Sequence, residues 1–230
     1  MRVREGSQGY TDRQMVMSLV LLNLAGGDCV DDLSRLEEDS GFARVLRRVE
    51  THGMPRKERR ALERRWRKER RRSVPSPSSM FRYLEGFCDY KEEAKRGYGK
   101  AFIPALTPGL LGLQKVNQDL MASVYARSPQ KQVTLDIDAT LVEVFKKDAL
   151  LCYKHFRAYQ PLNVWWAEQG MVLHSEFRDG NVPAGFELRR VLEEALEMLP
   201  EGVEKVFVRS DTAGYERDFP KDLRIGIQYF

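Results

Sequence analysis

The sequence has few of the residues on which disulfide-bonded, zinc-binding or membrane-spanning proteins depend. Its three cysteines, Cys29, Cys88 and Cys152, are far apart and form no CxxC pair, and there are only three histidines. This scarcity argues against a disulfide framework and a zinc site, and it is typical of the reducing cytoplasm. The most apolar segment, Met15 to Ala25, is interrupted by polar residues and is too short to cross a bilayer. The N-terminus lacks a secretory signal pattern, so we expect a cytoplasmic protein with no membrane partner.

One basic segment dominates the distribution of charge. Residues 56–72 contain 11 lysines and arginines and 3 glutamates, an excess of 8 that leaves the rest of the chain at −4, because the whole chain carries +4. Such a segment is typical of binding to a polyanion, most often a phosphate backbone. The alternative is a solvated helical face or a disordered linker. We favour nucleic acid, and the predicted contacts are Arg59, Arg60, Arg64, Arg65, Arg67, Lys68 and Arg71.

The first 128 residues are predicted to be entirely helical. A capping box at Thr11 to Gln14 precedes an apolar stretch that ends at two glycines, and Asp28 and Ser40 are candidate caps of two further short helices. These helices could form a helix-turn-helix, but nothing identifies a recognition helix, so simple packing units are favoured.

The rest of this region contains a predicted linker and two more helices. Residues 73–79 are rich in proline and serine, which is typical of a linker, and Ser78 or Ser79 is a candidate cap for the helix that follows. Thr107 and Pro108 then open a longer helix that runs to about Arg127.

From residue 129 onward the pattern predicts a mixed sheet. A strand at Val133 to Leu141 is followed by a hairpin, a helix over 186–199, a strand that ends at Asp211 and a last strand over 225–230. Antiparallel strands followed by a crossover helix that returns beside the first strand form an RNase-H-like domain. The predicted fold class is therefore α/β (α+β), with an all-helical region 1–128 and an incomplete RNase-H-like domain 129–230.

The first strand carries two acids on one face. Val133, Leu135 and Ile137 alternate with Thr134, Asp136 and Asp138, so one face is apolar and the other carries carboxylates. Aspartates are rare in strands and repel each other unless a cation lies between them. Asp211 follows another apolar run, at the end of a strand where open α/β sheets place their chemistry. The pattern thus predicts that Asp138 and Asp211 lie close together.

Several longer segments resemble one family. The segments LDIDAT, YKHFRAYQPLNVWWAEQG, VLHSEFRDGNVPAG and VFVRSDTAGY are similar to the DDE transposases of bacterial insertion sequences, and GGDCVDDLSRLEEDSGF and SPSSMFRYLEGF resemble their N-terminal region. The resemblance implies cleavage of DNA at the ends of the element and attack of the freed 3′-hydroxyl on target DNA. It also implies Mg²⁺ or Mn²⁺ as cofactor.

The resemblance assigns two of the three family acids by motif. Asp138 matches the first and Asp211 the second, and both would be catalytic and metal-binding, with Asp136 as the alternative first acid. The third acid is expected on a helix beyond residue 230, and no glutamate of the sequence has the matching context. We therefore expect a truncated gene product that binds DNA but does not transpose by itself.

Two other functions remain open. One is a non-catalytic DNA-binding protein that regulates or inhibits transposition, and the other is a nuclease of the same fold. The expected partners are insertion-sequence ends and target DNA, with a homodimer or association with full-length transposase as a further possibility. DNA as partner implies a nucleoid-associated location within the cytoplasm.

Overall fold

The secondary structure follows the predicted change from helices to strands. The computed structural model describes residues 3, 9–69, 72–97, 99–210 and 225–229, with the backbone alone for 65–69 and 225–229. The described helices are α1 (Asp12–Leu24), α2 (Leu33–Glu38), α3 (Ser40–Glu50), α4 (Arg56–Glu69), α5 (Pro77–Glu85), α6 (Tyr90–Glu93), α7 (Pro108–Arg127) and α8 (Leu188–Glu197). The described strands are β1 (Gln132–Ala139), β2 (Val142–Glu143), β3 (Ala158–Tyr159), β4 (Leu162–Trp166), β5 (Met171–Glu176), β6 (Lys205–Ser210) and β7 (Ile225–Tyr229). Within the described part of the chain, no helix is both long and apolar enough to span a membrane.

Two compact units are distinguished by their internal contacts. One comprises Met1–Cys88 and Thr107–Gly109, and the other comprises Asp89–Leu106 and Leu110–Phe230. The predicted domain boundary after residue 128 marks the change from helix to strand, and it stays a prediction. Each unit is described by itself.

Three helix caps of the first unit differ from those predicted. Asp28 does not cap a helix, since Cys29 precedes the 3₁₀ turn Val30–Asp32 and Asp32 precedes α2. The Thr11 capping box is confirmed, since the Thr11 side chain accepts from Gln14 N and the Gln14 side chain accepts from Thr11 N. Helix α3 is capped by Asp39, whose carboxylate accepts from Gly41 N at 2.7 Å, and not by Ser40. The cap of α5 is Ser76, because Pro77 occupies the first turn and places the cap just before it.

Residues 73–79 are ordered, although their composition predicts a linker. The Glu37 carboxylate accepts hydrogen bonds from Ser73 N at 2.8 Å and from Val74 N at 2.9 Å. The Val74 side chain is fully buried, and residues 77–79 form the first turn of α5. Prolines and serines here therefore cap a helix and do not form a free tether.

The second unit contains a five-stranded mixed sheet in the order β5-β4-β1-β6-β7. Strands β4 and β5 form the predicted antiparallel hairpin, and β4 pairs antiparallel with β1. After α8 the chain returns to β6, which pairs parallel with β1, and β7 pairs parallel with β6. The predicted fold class, an RNase-H-like mixed sheet after a helical region, is confirmed.

One face of this sheet forms the hydrophobic core. The β1 side chains of Val133, Leu135 and Ile137 are buried there, together with Trp166 of β4. Helix α8 covers this face with its apolar stripe, Leu188, Val191, Leu192 and Ala195. Because side chains alternate along a strand, Thr134, Asp136 and Asp138 lie on the opposite face.

The edge strand β5 places polar side chains under α8. Glu176 is buried between Arg178 and Arg190, whose guanidinium groups both donate to its carboxylate. His174, only 4% exposed, lies 3.2 Å from a carboxylate oxygen of Glu194. Charges that point inward from an edge strand discourage pairing with a second sheet, and here each cation has an acid beside it.

We expect His174 to make the free energy of unfolding depend on pH. Burial lowers the pKa of His174 below its ordinary value of 6.5. The negative charges of Glu194 and Glu176 act in the opposite direction, but burial has the larger effect. Below about pH 6.5 the unfolded chain therefore binds more protons than the folded one, and the free energy of unfolding falls by up to about 1.4 kcal/mol per pH unit. Denaturant titrations at several pH values should show a smaller loss on acidification for His174→Gln than for the wild type. The exposed His155→Gln control should behave like the wild type, and an unchanged slope in His174→Gln would contradict the assignment.

Candidate active site and basic helix

Asp136 and Asp138 lie on the face of β1 opposite the hydrophobic core, beside residues of β4 and β6. Asp136 lies opposite Trp165 of β4 and Arg209 of β6, and Asp138 lies opposite Asn163. Trp165 is 40% exposed, so this face is open among the described residues. The strand tolerates two aspartates because its other face buries enough apolar surface to fix its register.

Asp136 is engaged by an arginine. Its two carboxylate oxygens accept hydrogen bonds from Nε and Nη2 of Arg209, a bidentate pair. These hydrogen bonds and the carboxylate charge raise the pKa of Arg209. The pair occupies the oxygens that Asp136 would offer to a metal ion.

Asp138 has a different environment. Its side chain is exposed, and its carboxylate accepts a hydrogen bond at 3.2 Å from the hydroxyl of Thr140. No basic side chain of the described residues forms an ion pair with it within 4.0 Å. Asp138 therefore has carboxylate oxygens accessible to a cation, whereas those of Asp136 are held by Arg209.

The second predicted acid, Asp211, lies outside the described residues. The last described pair between the two parallel strands is Ile137 with Ser210, the residues just before Asp138 and Asp211. In the described part of the chain, no three histidine, cysteine or acidic residues form a group that could hold a metal ion. Of the described residues, Asp138 fits a hard cation such as Mg²⁺ as a single oxygen ligand, and it does not form a complete site.

The basic segment forms a helix with exposed cations. Helix α4 presents Arg59, Arg60 and Arg64 to solvent, and Leu62 is only partly buried. Three other predicted contacts, Arg65, Arg67 and Lys68, lie on the same helix by their backbone positions, and Arg71 lies outside the described residues. Alanine, leucine, glutamate, lysine and arginine are good helix formers, which explains the helix despite its repelling charges.

The chain just beyond the basic helix is fixed to the first unit. The Tyr10 hydroxyl lies 2.9 Å from the carbonyl oxygens of both Arg72 and Val74. Together with the Glu37 contacts to Ser73 and Val74, this holds the end of the basic segment in place. The sequence did not identify Glu37 or Tyr10 as anchors, because contacts between residues more than 30 positions apart leave no local pattern.

Asn163 and Thr140 are two further polar residues near Asp138. The Asn163 side chain accepts from the Ser175 hydroxyl at 2.7 Å, and Asn163 is the cross-strand partner of Asp138. No sequence pattern indicated Asn163. Its position depends on the register of β4 against β1, which periodicity does not determine.

The sheet order and the strand directions define an RNase-H-like fold whose central strand has an acidic face. The chain belongs to the family described as transposase DDE domain group 1, which it matches over residues 3–224. No curated protein matches the sequence.

Solved structures with distant similarity are transposase complexes. The Drosophila P element transposase strand transfer complex is 16% identical, with 89% of this chain and 38% of that chain covered and a TM-score of 0.32. The Mos1 mariner paired-end complex with Mn is 12% identical, with 94% and 58% covered and a TM-score of 0.28. The chain thus spans between 38% and 58% of the length of these proteins, and similarities this distant assign no residue role to it.

Proposed function

We propose that the chain is part of the machinery that cleaves and joins DNA in transposition. Its reaction would be hydrolysis of a phosphodiester bond at an element end, followed by attack of the freed 3′-hydroxyl on target DNA. The observation that carries the proposal is the family match over residues 3–224, in a chain whose central strand carries an exposed aspartate. Its DNA substrates would be the ends of an insertion sequence and a target DNA, and the protein would act at the nucleoid.

Asp138 and Asp211 are proposed as the metal-holding carboxylates. The parallel register that pairs Ile137 with Ser210 supports this, because each acid is the next residue in sequence. Mg²⁺ or Mn²⁺ bound there would lower the pKa of a water nucleophile and stabilise the leaving oxygen. Asp136 is proposed as a positioning residue, which holds Arg209 beside the site by their bidentate pair.

The basic helix α4 is proposed as a contact to the DNA backbone. Its exposed arginines would neutralise phosphates without reading sequence. A non-catalytic regulator would use the same helix, so DNA binding alone does not separate the two functions. If the chain is a regulator, its function should not depend on Asp138. If it is a transposase, Asp138 should bind a metal ion.

Binding of Mn²⁺ tests the metal site directly. We expect Asp138→Asn and Asp211→Asn each to weaken Mn²⁺ binding by at least tenfold, measured by electron paramagnetic resonance of the free ion, because each removes a charged oxygen ligand. Asp136→Asn should have a smaller effect, since its oxygens are held by Arg209.

The control for these variants is Asp119→Asn, a surface acid that pairs with Lys115 on α7. It should bind Mn²⁺ as the wild type does. Equal Mn²⁺ binding by the wild type, Asp138→Asn and Asp211→Asn would exclude the proposed site. Nicking of supercoiled plasmid that persists in both aspartate variants would exclude it as the source of cleavage.

A further inference from the structure

Next to Asp138 lies a segment with unusually exposed aromatic side chains. Residues 140–161, here called the β2–β3 arm, leave the sheet after β1 and return to it at β4. Phe145 is 93% exposed and Tyr153 is 69% exposed, and Phe177, which follows β5, is 58% exposed. Phe145 and Tyr153 thus combine high exposure with membership of one short segment.

The arm is a fixed structure and not a loose loop. Its two ends are joined where Thr140 N donates to Pro161 O at 3.1 Å, and β2 pairs with β3. The Arg157 guanidinium donates to the carbonyl oxygens of Lys147 and Ala149. Three of its own small side chains are buried, those of Ala149, Cys152 and Ala158. The aromatic rings therefore stand on a hydrogen-bonded frame, exposed in spite of an ordered backbone.

The neck of the arm also holds Phe177 in place. Gln160 N donates to Arg178 O at 2.8 Å, and Gly180 N donates to Ala158 O at 2.9 Å. A Cβ at Gly180 would lie 2.5 Å from the Ala158 carbonyl oxygen, so only glycine permits this approach. As a result, the Phe177 ring packs on Tyr159 with ring centroids 4.7 Å apart.

The charge of the arm is positive. Lys146, Lys147, Lys154 and Arg157 outnumber Glu143 and Asp148, and the Lys154 ammonium lies 5.6 Å from the centre of the Tyr153 ring. Lysine is depleted in the cores of protein interfaces, so this composition is unlike a surface for another protein. Exposed rings beside cations are the combination with which proteins bind single-stranded nucleic acid, by stacking on bases and pairing with phosphates.

We propose that the β2–β3 arm binds unpaired nucleotides of the DNA whose phosphodiester reaches Asp138. The place of the arm supports this, because Thr140 both donates to the Asp138 carboxylate and joins the two ends of the arm. Phe145 and Tyr153 stack on bases that have left the duplex, and Lys146, Lys147 and Lys154 contact their phosphates. The inference rests on the proposed function, since it names the form of DNA that this site takes.

Binding of labelled DNA in EDTA tests the arm without any chemistry. The probes are a blunt duplex and the same duplex with about six unpaired nucleotides, a length within the range of aromatic single-strand sites. We expect the wild type to bind the extended duplex at least tenfold more tightly and to quench 2-aminopurine placed in the extension. The double variant Phe145→Ala, Tyr153→Ala should lose this preference and bind the blunt duplex unchanged.

Two controls separate stacking from folding. Phe145→Tyr with Tyr153→Phe keeps both rings and should keep the preference. Phe81→Ala removes another exposed ring, 54% exposed, from α5 and should change nothing. Equal affinity for both probes, with unchanged 2-aminopurine fluorescence, would overturn the inference while leaving the proposed function intact. Failure to bind either probe would instead count against the proposed function. A wild-type dimer that dissociates in the double variant without any loss of DNA preference would identify the arm as an interface between copies and overturn the inference.

Discussion

Replacement of Arg59, Arg60 and Arg64 by glutamine should weaken binding to duplex DNA by on the order of a hundredfold at ~0.1 M salt. Each arginine that contacts a phosphate releases about one counterion, so the slope of log affinity against log salt should fall by about 3. Glutamine forms helices nearly as well as arginine, so α4 should persist. Fluorescence anisotropy over a series of NaCl concentrations measures both quantities, and circular dichroism checks the helix.

A variant with the same change in charge provides the control. Lys115, Lys131 and Arg189 are exposed by 66%, 77% and 55% and are paired with acids at the surface. Their joint replacement by glutamine removes three positive charges outside α4. We expect less than a threefold effect at the same salt, because solvent-exposed charges that contact no phosphate are largely screened. If both triple variants lose affinity equally, α4 is a solvated helix and the attraction reflects net charge alone.

The fold could be predicted from the sequence because its periodicities are long and clear. Alternation in β1, the apolar spacing of α8 and the hairpin of β4 and β5 each occupy five or more residues, and the order of elements then leaves few topologies. Helix caps were harder to predict, as Asp39 and Ser76 show, because several polar residues within a few positions can each serve as the cap. A cap is decided by backbone geometry at one residue, which a composition pattern does not determine.

Periodicity alone does not distinguish the two β1 acids, and the assignment of Asp138 as the first family acid, with Asp136 as the alternative, stays a prediction from the motif. Asp136 and Asp138 lie two residues apart, so they share a face and are equivalent by periodicity. What distinguishes them is Arg209, which the parallel register sets opposite Asp136. Registers between strands more than 70 residues apart depend on the packing of the whole sheet. Contacts between residues far apart in sequence also explain why composition predicted a linker at Val74. Its backbone N–H donates to Glu37, and its carbonyl oxygen accepts from the Tyr10 hydroxyl.

The sheet that carries Asp138 should depend strongly on one buried arginine. Arg178, 1% exposed, donates through Nε to Glu176 at 2.7 Å, and Glu176 is itself 7% exposed. Arg178→Ala leaves a buried carboxylate with Arg190 as its remaining described cation, so we expect a loss on the order of 3 kcal/mol in the free energy of unfolding. Urea denaturation followed by circular dichroism measures this loss.

The cost of Arg178→Ala should come from the stranded charge and not from lost packing alone. The double variant Glu176→Leu, Arg178→Met removes both buried charges and should therefore be more stable than Arg178→Ala. Arg189→Ala on α8 is the surface control, since its pair with Glu193 is half exposed and contributes less than about 1 kcal/mol. A double variant as unstable as Arg178→Ala would show that the arginine acts through its volume. Strand β5 is hydrogen-bonded to β4, and β4 is hydrogen-bonded to β1, which carries Asp138. Weaker packing of β5 should therefore also destabilise β1, and Mn²⁺ binding by Arg178→Ala should weaken together with its stability.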